Sequence, residues 1–256
     1  MSVAISNILL EKLDKIITNT RREADFSFVL SSNTSDFTTD ISPPLQLKSD
    51  RWVVGLIDFA SYNSIYNITA ANNIFTYSSN NGSTWNTLTL APGAYEITDI
   101  NTTVQMIMSL VTTTKIDILA NSTTLGSVII VPTNYKVDFT VGNSIAATLG
   151  FDPVVLSAGY NYSPHDVDIL TVNSILVNCS IIKNSYVKNS QQPVIYSFFP
   201  NVRPGAKIIE SPKNIVYLPI SSDTISSIKI WLTDQAGNKV DFRGQEITIR
   251  LQIKSL

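Results

Sequence analysis

The sequence predicts an all-β fold, a single jelly-roll sandwich with a small mixed α/β insertion. Three observations predict it. Short apolar runs with a two-residue period recur along the chain, separated by turn-forming residues. Only 15% of residues are charged, and the polar remainder is largely Asn, Ser and Thr, which suit loops and strand surfaces better than helix interiors. Helical spacing after the N-terminus is confined to one stretch, 92–151.

Residues 1–25 read as an N-terminal arm or amphipathic helix. Ile5, Leu9, Leu13, Ile16 and Ile17 recur at helical spacing, with Glu11, Lys12, Asp14 and Lys15 between them. Such a stripe packs either on its own domain or on a neighbouring subunit. From residue 26 to 256 the pattern is that of one jelly-roll domain. "FSFVLS" (26–31) is an apolar strand, and the double proline of "SPPLQL" (42–47) suits a loop or a sheet edge. In "RWVVGLIDFASY" (51–62), strict alternation puts Trp52, Val54, Leu56, Asp58 and Ala60 on one face and Val53, Gly55, Ile57 and Phe59 on the other. Both faces are largely apolar, where a half-exposed strand has only one. "NIFTYSSNNGSTWNTLTL" (73–90) is a hairpin turning at Asn81-Gly82.

The insertion, 92–151, begins with a helix that Thr98 or Asp99 caps and that carries Val104, Ile107, Met108 and Val111. Strand patterns at 115–119, 127–131 and 135–141 follow, then a short helix at 143–151 closed by Gly150. Beyond it, "LTVNSILVNCSII" (170–182) places Cys179 among Ile175, Val177 and Ile181 as a small core hydrophobe. Further strands fall at 193–199, 214–220, 226–232 and 245–253, with a turn at 234–242. In the last strand Ile247, Ile249, Leu251 and Ile253 face inward. Outside the insertion this makes about eight strands in two blocks without crossover helices, the pattern of an antiparallel sandwich.

Composition excludes several functions. The net charge of −2 and the absence of a basic run longer than Arg21-Arg22 argue against a nucleic-acid partner. No run approaches the ~18 apolar residues of a membrane span, and Glu11, Lys12 and Asp14 interrupt any secretion signal. The seven Asn-x-Ser/Thr sequons therefore read as a by-product of composition rather than as glycan sites. His165 is the one histidine, and although Asp166 and Asp168 stand near it, no nucleophile elbow or oxyanion loop accompanies it. One His and one Cys cannot build a structural zinc site, and Asp166 with Asp168 falls short of a calcium cluster. No catalytic, cofactor-binding or metal-binding residue is assigned, and no cofactor is expected.

Several long blocks carry a resemblance. "FSFVLSSN" with "LQLKSDRWVVGLIDFASYNSIYNI" resembles the opening of the minor capsid, or penton, proteins of Polinton-like elements and adintoviruses, where an L-x-L and a Trp-Glu-Val-type strand begin the jelly roll. Here that strand reads Trp52-Val53-Val54, so its middle position departs from the pattern. "YKVDFTVGNSIAATLGF", "VNSILVNCSIIKNSYV", "PVIYSFFPNVRPGAKIIESPKNIVYLPI" and "ISSIKIWLTDQAGNKVDFRGQEITIRLQIK" resemble that family in order, from Phe26 nearly to the C-terminus. The resemblance implies a non-enzymatic virion protein, a homopentamer at icosahedral vertices that contacts a double-jelly-roll major capsid protein and possesses no active site. The alternative is a jelly-roll module that binds a carbohydrate or host receptor as a soluble oligomer. Candidate subunit-interface residues are Trp52, Val53, Ile57 and Phe59 on the two-faced strand, with Phe198 and Phe199. Because the last two are chain neighbours, they point to opposite faces of a strand.

Overall fold

The computed structural model describes residues 25–47, 52–183, 185–187 and 189–255. The N-terminal arm, 1–24, lies outside them. Eight strand positions build the sandwich. One sheet runs β1 (Phe26–Ser32), β18 (Ile247–Ser255), β3 (Trp52–Tyr62) and then β15 (Lys207–Glu210), with β16 (Leu218–Pro219) also on β3. The facing sheet runs β14 (Val194–Phe198), β11 (Ile175–Cys179), β17 (Thr224–Thr233) and β2 (Asp36–Gln46). Every sandwich ladder is antiparallel, and the chain passes between the sheets in jelly-roll order, changing sheet at each step except from β11 to β14 and from β15 to β16. A two-stranded hairpin, β12 (Tyr186–Val187) with β13 (Ser190–Gln191), stands apart.

The alternation read for β18 is what the sandwich uses. Ile247, Ile249, Leu251 and Ile253 are fully buried, and each contributes about 1.5–3 kcal/mol by leaving water. They meet Ile175, Val177, Cys179, Ile228, Ile230 and Leu232 of the opposite sheet. Pro43 and Pro44 fall where β2 loses register with β17, on an edge strand, so their missing N–H groups cost no ladder bond.

Strand β3 departs from strict alternation. Arg250 of β18 pairs with Asp58, but Leu251 pairs with Leu56, which leaves Ile57 as an extra residue. This bulge reverses the facing of everything after it. Phe59 therefore joins Val54 and Leu56 in the core instead of lying opposite them. The outer face before the bulge is covered by the chain itself. A Cβ on Gly55 would sit 2.5 Å from Ile215 and 3.1 Å from Tyr217, which lie over it. Val53 on that face is only 4% exposed. The second apolar face thus reflects a bulge and an intrachain strap.

Between β3 and β11 the chain builds a second core. It comprises β4 (Ile74–Ser78), β5 (Asn86–Thr89), helix α1 (Ile97–Met108), β6 (Asp117–Asn121), β7 (Gly126–Val131), β8 (Lys136–Asp138), β9 (Val155–Leu156) and β10 (Gly159–Tyr162). Phe75, Tyr77, Leu88 and Leu90 of the 73–90 hairpin lie in this core, and β4 pairs with β8. The mixed α/β unit therefore reaches beyond 92–151 on both sides. Helix α1 buries Ile97, Ile100, Val104 and Met108 and ends before Val111, which is exposed. Its N-cap is Glu96, closed by a capping box with Asp99. The second short helix, Ala147–Leu149, ends on Gly150 in the left-handed region at φ 78°, as its glycine implied.

Candidate subunit interface

The flank of the sandwich where β14 and β15 end gathers several of the sequence-derived candidates. Alternation along β14 sends Phe198 inward and leaves Phe199, just past the strand, 68% exposed. Phe198 stacks on Tyr196 at 6.3 Å and meets Phe59 at 4.9 Å. The Tyr196 hydroxyl donates to Glu210 Oε1 at 2.8 Å, tying β14 to β15 across the open side of the sandwich. Burial and that carboxylate push the Tyr196 phenol up to about 12. Beside this pair an open cleft of about 540 Å³ is lined by Leu170, Val172, Tyr196, Phe199, Pro200 and Glu210.

The cleft continues along the junction between the two cores. A second hollow of about 430 Å³ lies between Ile97 of α1 and Arg203, and Leu170 lines both. Leu170 is 71% exposed. Side-chain amides hold the junction from beneath. Asn67 Nδ2 donates to the Tyr95 and Ile169 carbonyls, and Tyr95 N–H donates to Asn67 Oδ1. Asn63 Nδ2 donates to the Val202 carbonyl at 2.7 Å.

The six candidates separate into two groups. Val53, Phe59 and Phe198 are buried within the subunit, so they offer no surface to a neighbour. The bulge at Ile57 turned Phe59 inward, and the Ile215–Tyr217 strap lies over the face that carries Val53. Trp52 is half-buried against Phe26, with ring centroids 5.7 Å apart, and Ile57 is half-buried. Phe199 alone of the six is freely exposed. Sequence reasoning missed Leu170 and Ile209. Leu170 opens "LTVNSILVNCSII" (170–182), which the apolar pattern assigned to a strand, but 170–174 form an irregular return segment and the strand begins at Ile175. Ile209 follows Ile208 in a strand, so one of the two had to face outward; Ile208 is 3% exposed and Ile209 68%.

His165 does not enter the cleft. Its Nε2 lies 3.0 Å from Asp152 Oδ1, with both side chains more than half exposed. Asp166 and Asp168 do not orient its ring; the 163–168 segment is fastened instead by main-chain bonds to Gly150, Leu125 and Thr148. Among the described residues no group of three His, Cys, Asp or Glu side chains is placed to hold a metal. Cys179 is fully buried, and burial pushes its thiol up to about 11. Two sequon asparagines, Asn67 and Asn178, are themselves buried, at 5% and 3% exposure. Among the described residues no helix is long and apolar enough to cross a membrane.

No family model matches the chain, and no curated protein sequence matches it. Among solved structures it is similar to the crystal structure of the selenomethionine-labelled mavirus penton protein, with 10% identity and a TM-score of 0.48 over 92% of this chain and all of that one.

Proposed function

We propose that the chain is a structural capsid protein, a vertex (penton) subunit of a virion that assembles as a homopentamer and contacts a double-jelly-roll major capsid protein. The sequence blocks from Phe26 onward support the family. The observation that carries the assembly reading is the β14–β15 flank, where Phe199 and Ile209 remain exposed on a complete jelly roll. Phe199 follows the inward Phe198 and Ile209 the inward Ile208, so they face out from opposite sheets as two separate apolar spots beside one flank. Cyclic rings need two different patches per subunit, and the sandwich has two flanks. The reaction class is none: the chain assembles and does not catalyse.

A second reading is a module that binds a carbohydrate or host receptor. The 540 Å³ cleft favours it, because an exposed Phe199 beside a Tyr196–Glu210 pair offers an apolar face with polar groups around it. Sedimentation of the pure protein across a concentration series, and again with the major capsid protein, separates the two. Fivefold particles or incorporation at shell vertices support the capsid reading. A trimer or monomer under all conditions, excluded from shells, overturns it in favour of the binding module.

A further inference from the structure

The outer face of the β1–β18–β3–β15 sheet is covered over one part only. Ser27, Gln252 and Gly55 pair in one row across it, and there Ile215 and Tyr217 of the strap lie over Gly55. The next two outward-facing rows are Val29–Arg250–Asp58 and Ser31–Thr248–Ala60–Ile209. In them Val29 is 62% exposed and Ile209 68%, and Ala60 is half-buried beside the half-buried Ile57 of the bulge. Val29, Ile57 and Ile209 have no part in the sandwich core. The solvated face of an antiparallel sheet is ordinarily polar, and this part of it carries an apolar line instead.

The chain supplies a segment of the right length. Residues 1–24 lie outside the described residues and end where Asp25 enters β1. Their apolar stripe runs from Ile5 to Ile17, about 18 Å at helical rise. Val29 and Ile209 stand three strands and two residues apart, roughly 16 Å at ordinary sheet spacings. Residues 18–24 remain to turn the chain round; they reach up to about 23 Å, against roughly 14 Å from Asp25 along β1 to Val29. The chain also enters β1 on this face. Gln252 Nε2 donates to Asp25 Oδ2 at 3.1 Å, and Gln252 Oε1 accepts from Tyr217 of the strap. Arg250 and Asp58 already pair at 3.5 Å, so an apolar cover strands neither charge.

We propose that the N-terminal arm folds back on its own subunit and seats its apolar stripe across this face, with Ile17 towards Val29, Ile5 towards Ile209, and Ile57 and Ala60 beneath. The arm is then a second strap beside the 215–217 one. Its Glu11, Lys12, Asp14 and Lys15 turn to solvent, as the polar side of an amphipathic helix does. Of the two apolar spots beside the β14–β15 flank, the seated arm covers Ile209 and leaves Phe199 for a neighbour. The seat itself does not depend on the vertex reading.

Thiol labelling of full-length protein tests it, with the buried Cys179 as a silent background. Dilute, monomeric Ile209→Cys is expected to react at least about tenfold more slowly than the same variant carrying Leu9→Asp and Leu13→Asp, which spoil the stripe. Ser197→Cys, exposed on the other sheet, is expected to react equally fast with and without the two aspartates. Circular dichroism confirms that each variant folds. Equal rates for Ile209→Cys in both backgrounds overturn the seat. Protection that appears only as concentration rises puts the arm of a second copy on the face and overturns the fold-back. A further variant needs no aspartates: Ile5→Cys with Ile209→Cys is expected to form a disulfide within one chain under mild oxidation. A disulfide between chains, or none, overturns the proposal.

Discussion

The rings of Phe59 and Phe198 meet with centroids 4.9 Å apart, one from each sheet, and close the sandwich core beneath the β14–β15 flank. Phe242 meets Phe59 from another side at 6.2 Å. This contact exists only because the bulge at Ile57 rotates Phe59 inward. Phe199, one residue on from Phe198, lies on the outside. Of two neighbouring phenylalanines, one therefore builds the core and the other is left at the surface.

Truncation separates those roles. Phe59→Ala and Phe198→Ala are each expected to lower unfolding free energy by about 3–5 kcal/mol, the cost of emptying a large core site. Phe199→Ala is expected to stay within about 0.5 kcal/mol of the wild type, as an exposed substitution should, while weakening assembly. Guanidinium titrations of the three variants decide it. A large loss at Phe199, or a small one at Phe59, contradicts the division.

The strap over β3 gives a sharper test. Tyr217 OH donates to Gln252 Oε1 at 2.6 Å, and Lys254 Nζ lies 3.8 Å from the Tyr217 ring centre, so the strap is fastened over Gly55. Gly55→Ala is expected to cost about 1–3 kcal/mol, because the added methyl meets Ile215 at 2.5 Å. Pairing it with Ile215→Ala removes the colliding carbon and should recover part of the loss, as coupled neighbours do. Trypsin cleavage after Lys213 should quicken in Gly55→Ala. Additive losses in the double variant argue against the contact.

Much of this architecture was legible in the sequence where one local rule governed the outcome. The β18 alternation, the glycine closing the Ala147–Leu149 turn and the core setting of Cys179 all follow from short-range pattern. The Asn81-Gly82 turn was legible as well, with both residues at positive φ. What escaped was set at long range. A bulge is invisible in a strand that is apolar on both sides, because either facing fits the pattern. The 73–90 hairpin alternates equally well in a sandwich sheet or in the second core, and only its pairing with β8 assigns it. Of the interface set, Phe199 follows from alternation, while Leu170 depends on where the return segment runs.

Alkaline pH is expected to destabilise the fold. The Cys179 thiol is raised from 9.0 to about 11, first by burial, so the neutral form favours the folded state. That contribution is complete below pH 9 and is lost as pH rises towards about 11. The Tyr196 phenol, raised from 10.0 to about 12 by burial and by Glu210, adds a second loss above pH 10. Cys179→Ala should flatten the first part of the decline, and Tyr196→Phe the second. Thermal melts between pH 8 and 11.5 measure both, and native-state thiol labelling at pH 8 should be slow. A melting temperature that rises through this range contradicts the assignment.

Asn67 is expected to govern how firmly the second core is held to the sandwich. Its side chain donates to the carbonyls of Tyr95 and Ile169, at 2.7 and 3.1 Å, and accepts from Tyr95 N–H at 2.8 Å. It thereby joins the segment leaving β3, the segment entering α1 and the segment returning to β11. Asn67→Ala leaves these main-chain groups without their partner inside the junction, which costs about 1–3 kcal/mol for a buried group left unpaired. Asn67→Asp keeps the acceptor for Tyr95 N–H but turns a carboxylate oxygen towards the two carbonyls in a buried site, so a loss at least as large as alanine's is expected. The loss should be local. Amide exchange at Tyr95 should quicken, while the amides of Ile249 and Leu251, deep in the β18 ladders, should keep their protection unless the whole sandwich unfolds. Equal acceleration at β18 would show that Asn67 stabilises the fold as a whole rather than the junction between its two cores.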